Sequence, residues 1–247
     1  MDMGNLDTFR IKGIVLRRTA VKDADAMVSC IGEDGCFSFY GRGVKKLTSK
    51  NGAALSELSY SDFLLIKSKN GVYALKEAAP IESYIKEGDL SAIAVENFLC
   101  ELISHIFNED ETEGKFLYPY LKKALEVIKE GFEPFTAGII CFAKALIELG
   151  LGLEVDSCVR CKGKKGIVGL SLLDGGFACA DCLVEEDVKL DPYLLKIIRY
   201  VFRCGLDDLS RVPFKKEDLL PLYDLLATHL ENATNFKPRS LELLRQL

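Results

Sequence analysis

The chain is poor in the residues and patterns that announce catalysis. Only two histidines, His105 and His229, occur in 247 residues. His105 lies in an apolar helical stretch and reads more simply as a packed or boundary residue than as a base. His229 lies in a polar helical context with no evident triad partner. There is no G-x-x-x-x-G-K-[ST] phosphate loop, no G-x-S-x-G elbow and no H-E-x-x-H pair. No two carboxylates stand out as a pair. The run Glu109-Asp110-Glu111 with Glu113 reads as a solvated acidic loop, with docking of a basic partner as the alternative. These absences argue against an enzyme.

Other absences bound the class. The start, MDMGNLDTFR, has no basic segment followed by an apolar run, so no secretory signal is expected. The most apolar stretch, Phe135 to Leu153, is interrupted by Lys144 and Glu148, so no membrane span is expected. There is no internal repeat and no low-complexity tract. With 49% apolar and 28% charged residues, the composition is that of a soluble globular protein long enough for two domains.

The net charge of −5 is unevenly spread. Residues 1–80 hold 12 basic and 9 acidic residues, whereas the remainder holds 20 and 28. The N-terminal third is therefore the part suited to a polyanion, although its excess is modest.

What is present is concentrated in cysteine. CVRC at 158–161 and CADC at 179–182 are separated by 17 residues. Each pair can clamp one side of a metal ion, and a small hairpin between them can bring the pairs together. Cys158, Cys161, Cys179 and Cys182 would complete the tetrahedral shell that Zn²⁺ favours. Gly163 is expected to let backbone N–H groups face the sulfurs, and Gly175-Gly176 to make a second tight turn. Lys162, Lys164 and Lys165 place positive charge beside a site of net −2. A redox dithiol fits two pairs at this spacing poorly, and two disulfides fit a chain without a secretory signal poorly. Four thiolates leave no open position for catalysis, so the expectation is one structural Zn²⁺ per chain. Cys30, Cys36, Cys100, Cys141 and Cys204 sit in apolar surroundings and read as small buried hydrophobes.

In chain order, residues 9–18, 25–31 and 36–40 read as strands, with Glu33-Asp34-Gly35 as a turn. Residues 60–68 and 72–78, joined through Lys69-Asn70-Gly71, read as a hairpin. Five short strands in about 80 residues suggest an SH3-like or oligonucleotide-binding (OB) barrel. Pro80 and Gly88 mark a change of period. Helices are expected from Ala92, over 116–129, from Pro134 to about Leu149, from Asp191-Pro192, over 215–231 and at the end of the chain. The fold class is thus multi-domain α+β. An OB-like five-stranded β-barrel occupies 1–80, and an all-α domain occupies 81–247 with a four-cysteine element, 156–184, inserted in it.

Between the third and fourth strands runs GRGVKKLTSKNGAAL, with Arg42, Lys45, Lys46 and Lys50 just after Phe37, Phe39 and Tyr40. Bases for phosphates beside aromatics for stacking suit single-stranded nucleic acid. Equally, the phenylalanines could face the barrel core and the bases be a solvated loop. Arg10, Lys12, Arg17, Arg18 and Lys22 could extend a basic face or be the polar side of a strand.

The order of RIKGIVLRR, GRGVKKLTSK, LGLEVDSCVRC, GGFACADC and the tail NFKPRSLELL resembles the RecO family over nearly the whole chain. The resemblance implies a cytoplasmic, nucleoid-associated bacterial mediator of DNA repair and recombination. Such a protein would bind single- and double-stranded DNA and anneal complementary strands. With RecR it would load RecA onto DNA coated by single-stranded DNA-binding protein (SSB), whose C-terminal tail it also grips. It implies DNA contact at Arg42, Lys45 and Lys46, with Lys50, Lys237 and Arg239 as weaker candidates. Two other functions stay open: a zinc-containing protein-interaction scaffold, and a zinc enzyme acting on nucleic acid.

Overall fold

A computed structural model describes residues 8–46, 49–67, 71–107 and 113–247. The turn residues Lys69 and Asn70 and the acidic run Glu109 to Glu111 lie outside the described residues, as does the extreme N-terminus.

Strands β1 (Thr8–Ala20), β2 (Ala26–Gly32), β3 (Gly35–Gly41), β4 (Ser59–Lys67) and β5 (Tyr73–Ser83) close into a barrel of order β1-β2-β3-β5-β4. Closure is possible because β1 is long. Its first half pairs with β4, from Thr8 opposite Ile66 to Ile14 opposite Tyr60, and its second half pairs with β2, ending at Ala20 opposite Ala26. A bulge between Val15 and Arg17 turns the strand from one neighbour to the other. β3 and β5 meet in parallel at Tyr40 and Ala74.

Alternation then splits the barrel wall. Val15, Val28, Cys30, Phe37, Phe39, Phe63 and Leu65 fill the interior. Ile14, Leu16, Ile31, Cys36 and Leu58 face the other way and join the core of the helical part. The barrel is therefore packed against the helices through a wall that is apolar on both sides.

One sequence expectation fails here. Pro80 does not end the sheet: β5 continues to Ser83. Pro80 sits opposite Ser61 where the register shifts between Tyr60 and Ser61, and an irregular position tolerates a residue that cannot donate to the ladder.

The helical part comprises α1 (Leu90–Ile106), α2 (Leu117–Glu130), α3 (Pro134–Glu148), α4 (Pro192–Arg203), α5 (Lys216–Thr234) and α6 (Leu241–Gln246). Side chains cap the starts: Asp89 accepts from the Ala92 N–H, Glu133 from Thr136 and Asp191 from Leu194. The apolar run from Phe135 is the central helix α3, buried from Pro134 to Leu146. Lys144 lies inside it because its ammonium donates to the Phe202 carbonyl at 2.8 Å and lies over the Tyr120 ring. No helix among the described residues is long and apolar enough to cross a membrane.

Between α3 and α4 stands a small sheet of order β7-β6-β8, from β6 (Ile167–Ser171), β7 (Gly176–Cys179) and β8 (Val188–Lys189). β6 and β7 are the expected hairpin, and Gly175 takes φ +70° at its turn. The third strand, β8, has no sequence signal because two residues carry no period.

Candidate nucleic-acid interface and metal centre

The basic loop leaves β3 at Gly41 and is anchored from below. Val44 inserts into the barrel interior at 3% exposure. A Cβ at Gly41 would lie 2.8 Å from a Val44 methyl, so only glycine lets that anchor seat. Gly43 takes φ +66°, a conformation that strains other residues. The turn before β2 holds the loop from the side. Asp25 accepts the Gly43 N–H at 2.7 Å and the Tyr40 hydroxyl, and Lys45 donates its N–H to the Ala24 carbonyl at 3.0 Å. The Tyr40 hydroxyl, then the Gly43 N–H, hold the Asp25 carboxyl below its usual range, and the same bond pushes the Tyr40 phenol up. At the far end, Asn51 accepts the Ala78 N–H from β5.

Arg42, Lys45, Lys46 and Lys50 are all exposed, and none forms an ion pair with a described carboxylate. Arg17, Arg18 and Lys22 are likewise exposed toward the same end of the barrel, with no ion pair among the described residues. Arg10, in contrast, lies on the other half of β1 and pairs with Asp62 at 3.2 Å and Glu77 at 3.9 Å. Lys237 pairs with Glu231 at 3.0 Å, whereas the Arg239 side chain has no carboxylate partner among the described residues.

The aromatic half of the loop reading is corrected. Phe37 and Phe39 are 6% and 0% exposed and pack with Phe63 inside the barrel. Strand alternation turns both inward, and Tyr40 is committed to Asp25. The loop therefore offers charge, and of the three aromatics before it only the half-buried Tyr40 keeps part of its surface toward solvent. Asp25, which organises the loop, escaped the sequence reading, which made it the first residue of the second strand; β2 begins at Ala26 and leaves Asp25 in the preceding turn.

The four cysteines converge. The sulfurs of Cys158, Cys161, Cys179 and Cys182 all lie within 4.8 Å of one another, and Cys161 and Cys179 are 3.7 Å apart. That spacing is far too long for a disulfide at about 2.05 Å. It matches the edge of about 3.8 Å in a tetrahedron of sulfurs 2.3 Å from a central ion. The N–H of Cys161 lowers the Cys158 thiol pKa most; burial opposes it, and the N–H groups of Cys179 and Arg160 add to it. The neighbouring thiols push Cys182 up. One thiolate is thus favoured before any ion arrives, and an ion would favour the rest. The quartet can hold a metal ion.

Details of this centre differ from expectation. The left-handed residue of the first knuckle is Lys162 (φ +62°), not Gly163. The Lys162 side chain points to solvent, so its Cβ is tolerated. Gly163 instead leaves room, since a Cβ there would lie 3.3 Å from the Cys161 sulfur. Arg160, inside the first cysteine pair, was also missed. It donates to the Cys182 carbonyl at 2.6 Å and pairs with Asp174 at 2.7 Å and with the buried Asp187. It thereby ties both knuckles and the hairpin turn together, and it holds the Asp187 carboxyl far below its usual range. The other five cysteines are buried, as expected.

The histidines have structural settings. His229 is buried, with Nδ1 3.1 Å from the Leu172 carbonyl and Nε2 3.0 Å from the Leu151 carbonyl. It joins α5 to the β6–β7 turn. His105 is exposed and stacks on Phe236 at 4.5 Å.

Comparison with known proteins agrees with this architecture. The model of the Recombination protein O N terminal matches residues 3–84, and that of the Recombination protein O C terminal matches residues 87–242. The DNA repair protein RecO of Bacillus subtilis (strain 168) is 26% identical over 243 residues, covering 96% of this chain and 94% of that protein. Its namesake in Clostridium perfringens (strain 13 / Type A) is 28% identical over 237 residues, covering 94% and 96%. In Clostridium perfringens (strain SM101 / Type A) the identity is 30% over 207 residues, covering 83% and 91%. A closed five-stranded barrel, a helical body and a four-cysteine centre, matched end to end by both halves of one family, place this chain in the RecO family of DNA repair and recombination proteins.

Proposed function

We propose that the chain is a non-catalytic mediator that binds single- and double-stranded DNA and anneals complementary strands. The observation that carries this reading is the loop of Arg42, Lys45, Lys46 and Lys50. All four bases are exposed and none pairs with a carboxylate among the described residues, and Asp25 and Val44 hold the backbone at Gly43 and Val44. Bases held this way neutralise phosphates at little ordering cost, and two strands can then approach with reduced repulsion. The barrel, residues 1–80 and the end of β5, acts as an OB-like DNA-binding unit. The helical part, 81–247, carries the partner surfaces for RecR and for the SSB tail, through which RecA is loaded. The element at 156–184 holds a structural Zn²⁺ through Cys158, Cys161, Cys179 and Cys182 and contributes to folding.

Annealing is the direct test. Two complementary labelled strands are mixed with and without the protein at low salt, and duplex formation is followed by energy transfer. A rate well above the spontaneous one, falling as salt rises, is expected. A rate equal to the spontaneous one at every salt concentration rejects annealing.

A further inference from the structure

A stacked pair of rings lies away from the barrel loop. A cleft of about 650 Å³ runs between β1, α1 and the segment joining α5 to α6. Its lining includes Arg17, Asn97, Ser104, His105, Phe236 and Arg239. A second hollow of about 470 Å³ shares Leu16, Ser104 and His105 with it and continues along the outer face of β2 past Ser29. Both are within the size range of ligand clefts.

Three features make this cleft a receptor for an anion with a flat ring. The His105 and Phe236 rings stack 4.5 Å apart at 5° and form a single aromatic step. The His105 ring is fixed, because Nδ1 lies 3.1 Å from the Glu101 carbonyl one turn earlier. The guanidinium groups of Arg17 and Arg239 are exposed and lack a carboxylate partner among the described residues. The cleft also contains two carboxylates. Glu101 is engaged: it accepts the N–H groups of Arg239 at 2.9 Å and Ser240 at 2.7 Å, as well as the Ser240 hydroxyl. Burial opposes its ionisation, yet the Ser240 and Arg239 bonds hold its carboxyl below the usual range. Glu57 is the other. Against these stand Arg17, Arg239 and Lys237, and the Lys237–Glu231 pair is exposed enough for a phosphate to displace.

We propose that this cleft binds a short stretch of single-stranded DNA, with a base on the Phe236–His105 step and phosphates on Arg17 and Arg239. The proposal rests on the DNA-binding reading above and extends it to a second site. The two sites lie on one path. Arg17 is three residues before Ala20, whose row crosses Ala26 to Gly41 beside Arg42. Four residues of strand rise and two strand spacings put the two arginine positions roughly 16 Å apart. A duplex would bury its base faces, so the aromatic step selects an unpaired base.

The chain contains no tryptophan, so Phe236→Trp would carry the only indole. A labelled oligothymidylate is titrated at low salt, and both its anisotropy and the indole emission are recorded. Quenching with the same midpoint as the anisotropy rise is expected. Arg17→Ala with Arg239→Ala should weaken binding by about tenfold and reduce the slope of log affinity against log salt by about 1.4, two single-strand phosphate contacts at ~0.7 each. Phe236→Leu keeps an apolar side chain without a ring, and it should weaken binding at least about fivefold. Rising anisotropy with flat emission, together with unchanged affinity in the double variant and in Phe236→Leu, removes the cleft from the DNA path and leaves the loop reading standing. No rise in anisotropy for the unaltered chain removes the DNA reading and this proposal together. Quenching by a short acidic peptide but not by the oligonucleotide assigns the cleft to a peptide and overturns the proposal.

Discussion

Gly43 donates its backbone N–H to the Asp25 carboxylate at 2.7 Å, so the turn between β1 and β2 fixes the loop between β3 and β4. The same carboxylate takes the Tyr40 hydroxyl from the strand that enters the loop. An acidic side chain thereby shapes the most basic segment of the barrel while its own charge is absorbed by donors.

Asp25→Ala should loosen the loop without unfolding the barrel, whose interior does not include Asp25. Amide hydrogen exchange at Gly43 and Lys45 should speed up, and single-strand affinity should fall several-fold because the bases must then be ordered on binding. Asp25→Asn, which keeps an acceptor, should fall between. Unchanged exchange at both amides would show that Asp25 does not hold the loop.

Gly43→Ala forces a side chain into a left-handed conformation at φ +66°, at a cost of about 1–2 kcal/mol. Open space surrounds that position, with only the Lys46 Cδ at 4.0 Å, so the penalty is conformational and not steric. Chemical denaturation should show the loss with an unaltered slope. A neutral substitution would mean that the loop relaxes to a conformation any residue can adopt.

A metal ion held by the four cysteines would govern a defined part of the fold. A strong chelator, or Cys158→Ser with Cys179→Ser, should abolish metal binding at one ion per chain and unfold β6, β7 and β8. Apparent binding energies of about 10–16 kcal/mol for structural Zn²⁺ would make this element dependent on its ion. His229 joins it to α5 through the Leu172 carbonyl, so the overall melting temperature should fall too. Metal analysis with amide exchange over Ile167–Cys179 is the readout. A protein that keeps those amides protected without metal would overturn the assignment.

The barrel strands, the cap of α4 and the cysteine quartet were legible because each depends on local pattern: alternation of period two, Asp191 before Pro192, two C-x-x-C pairs. What escaped depends on pairing between distant residues. Pro80 reads as a breaker and is tolerated only because Ser61 meets it at an irregular ladder position. Phe37 and Phe39 alternate in sequence, but which face is interior is decided by barrel closure. Arg160 lies between two ligands, and its role appears only when Asp174 and Asp187 fold back onto it. The stack of His105 on Phe236 joins residues 131 positions apart.

Glu96 gives a pH test of the helical core. It is 2% exposed, and its Oε1 has no hydrogen-bond partner. Burial pushes its carboxyl up to about 7, against an opposing N–H from Lys86. A carboxyl raised in the folded state contributes stability below its ordinary value of 4.5 and loses it as pH rises through about 7. Glu96→Gln should therefore be stabilising at pH 8, by about 1–3 kcal/mol, the cost of a buried unmet polar group, and nearly neutral at pH 5. Equal effects at both values would show that Glu96 does not titrate in this range.

The central claim is that the barrel loop is where this RecO-family chain meets DNA. The most direct measurement is anisotropy of a labelled single strand across a salt series, for the unaltered chain and for Arg42→Glu, Lys45→Glu and Lys46→Glu combined. A steep slope for the unaltered chain, reduced by about 2 in the triple variant with metal content unchanged, is the predicted result, since each single-strand phosphate contact contributes about 0.7. An identical slope and affinity in both proteins would contradict it and move the DNA site off the loop.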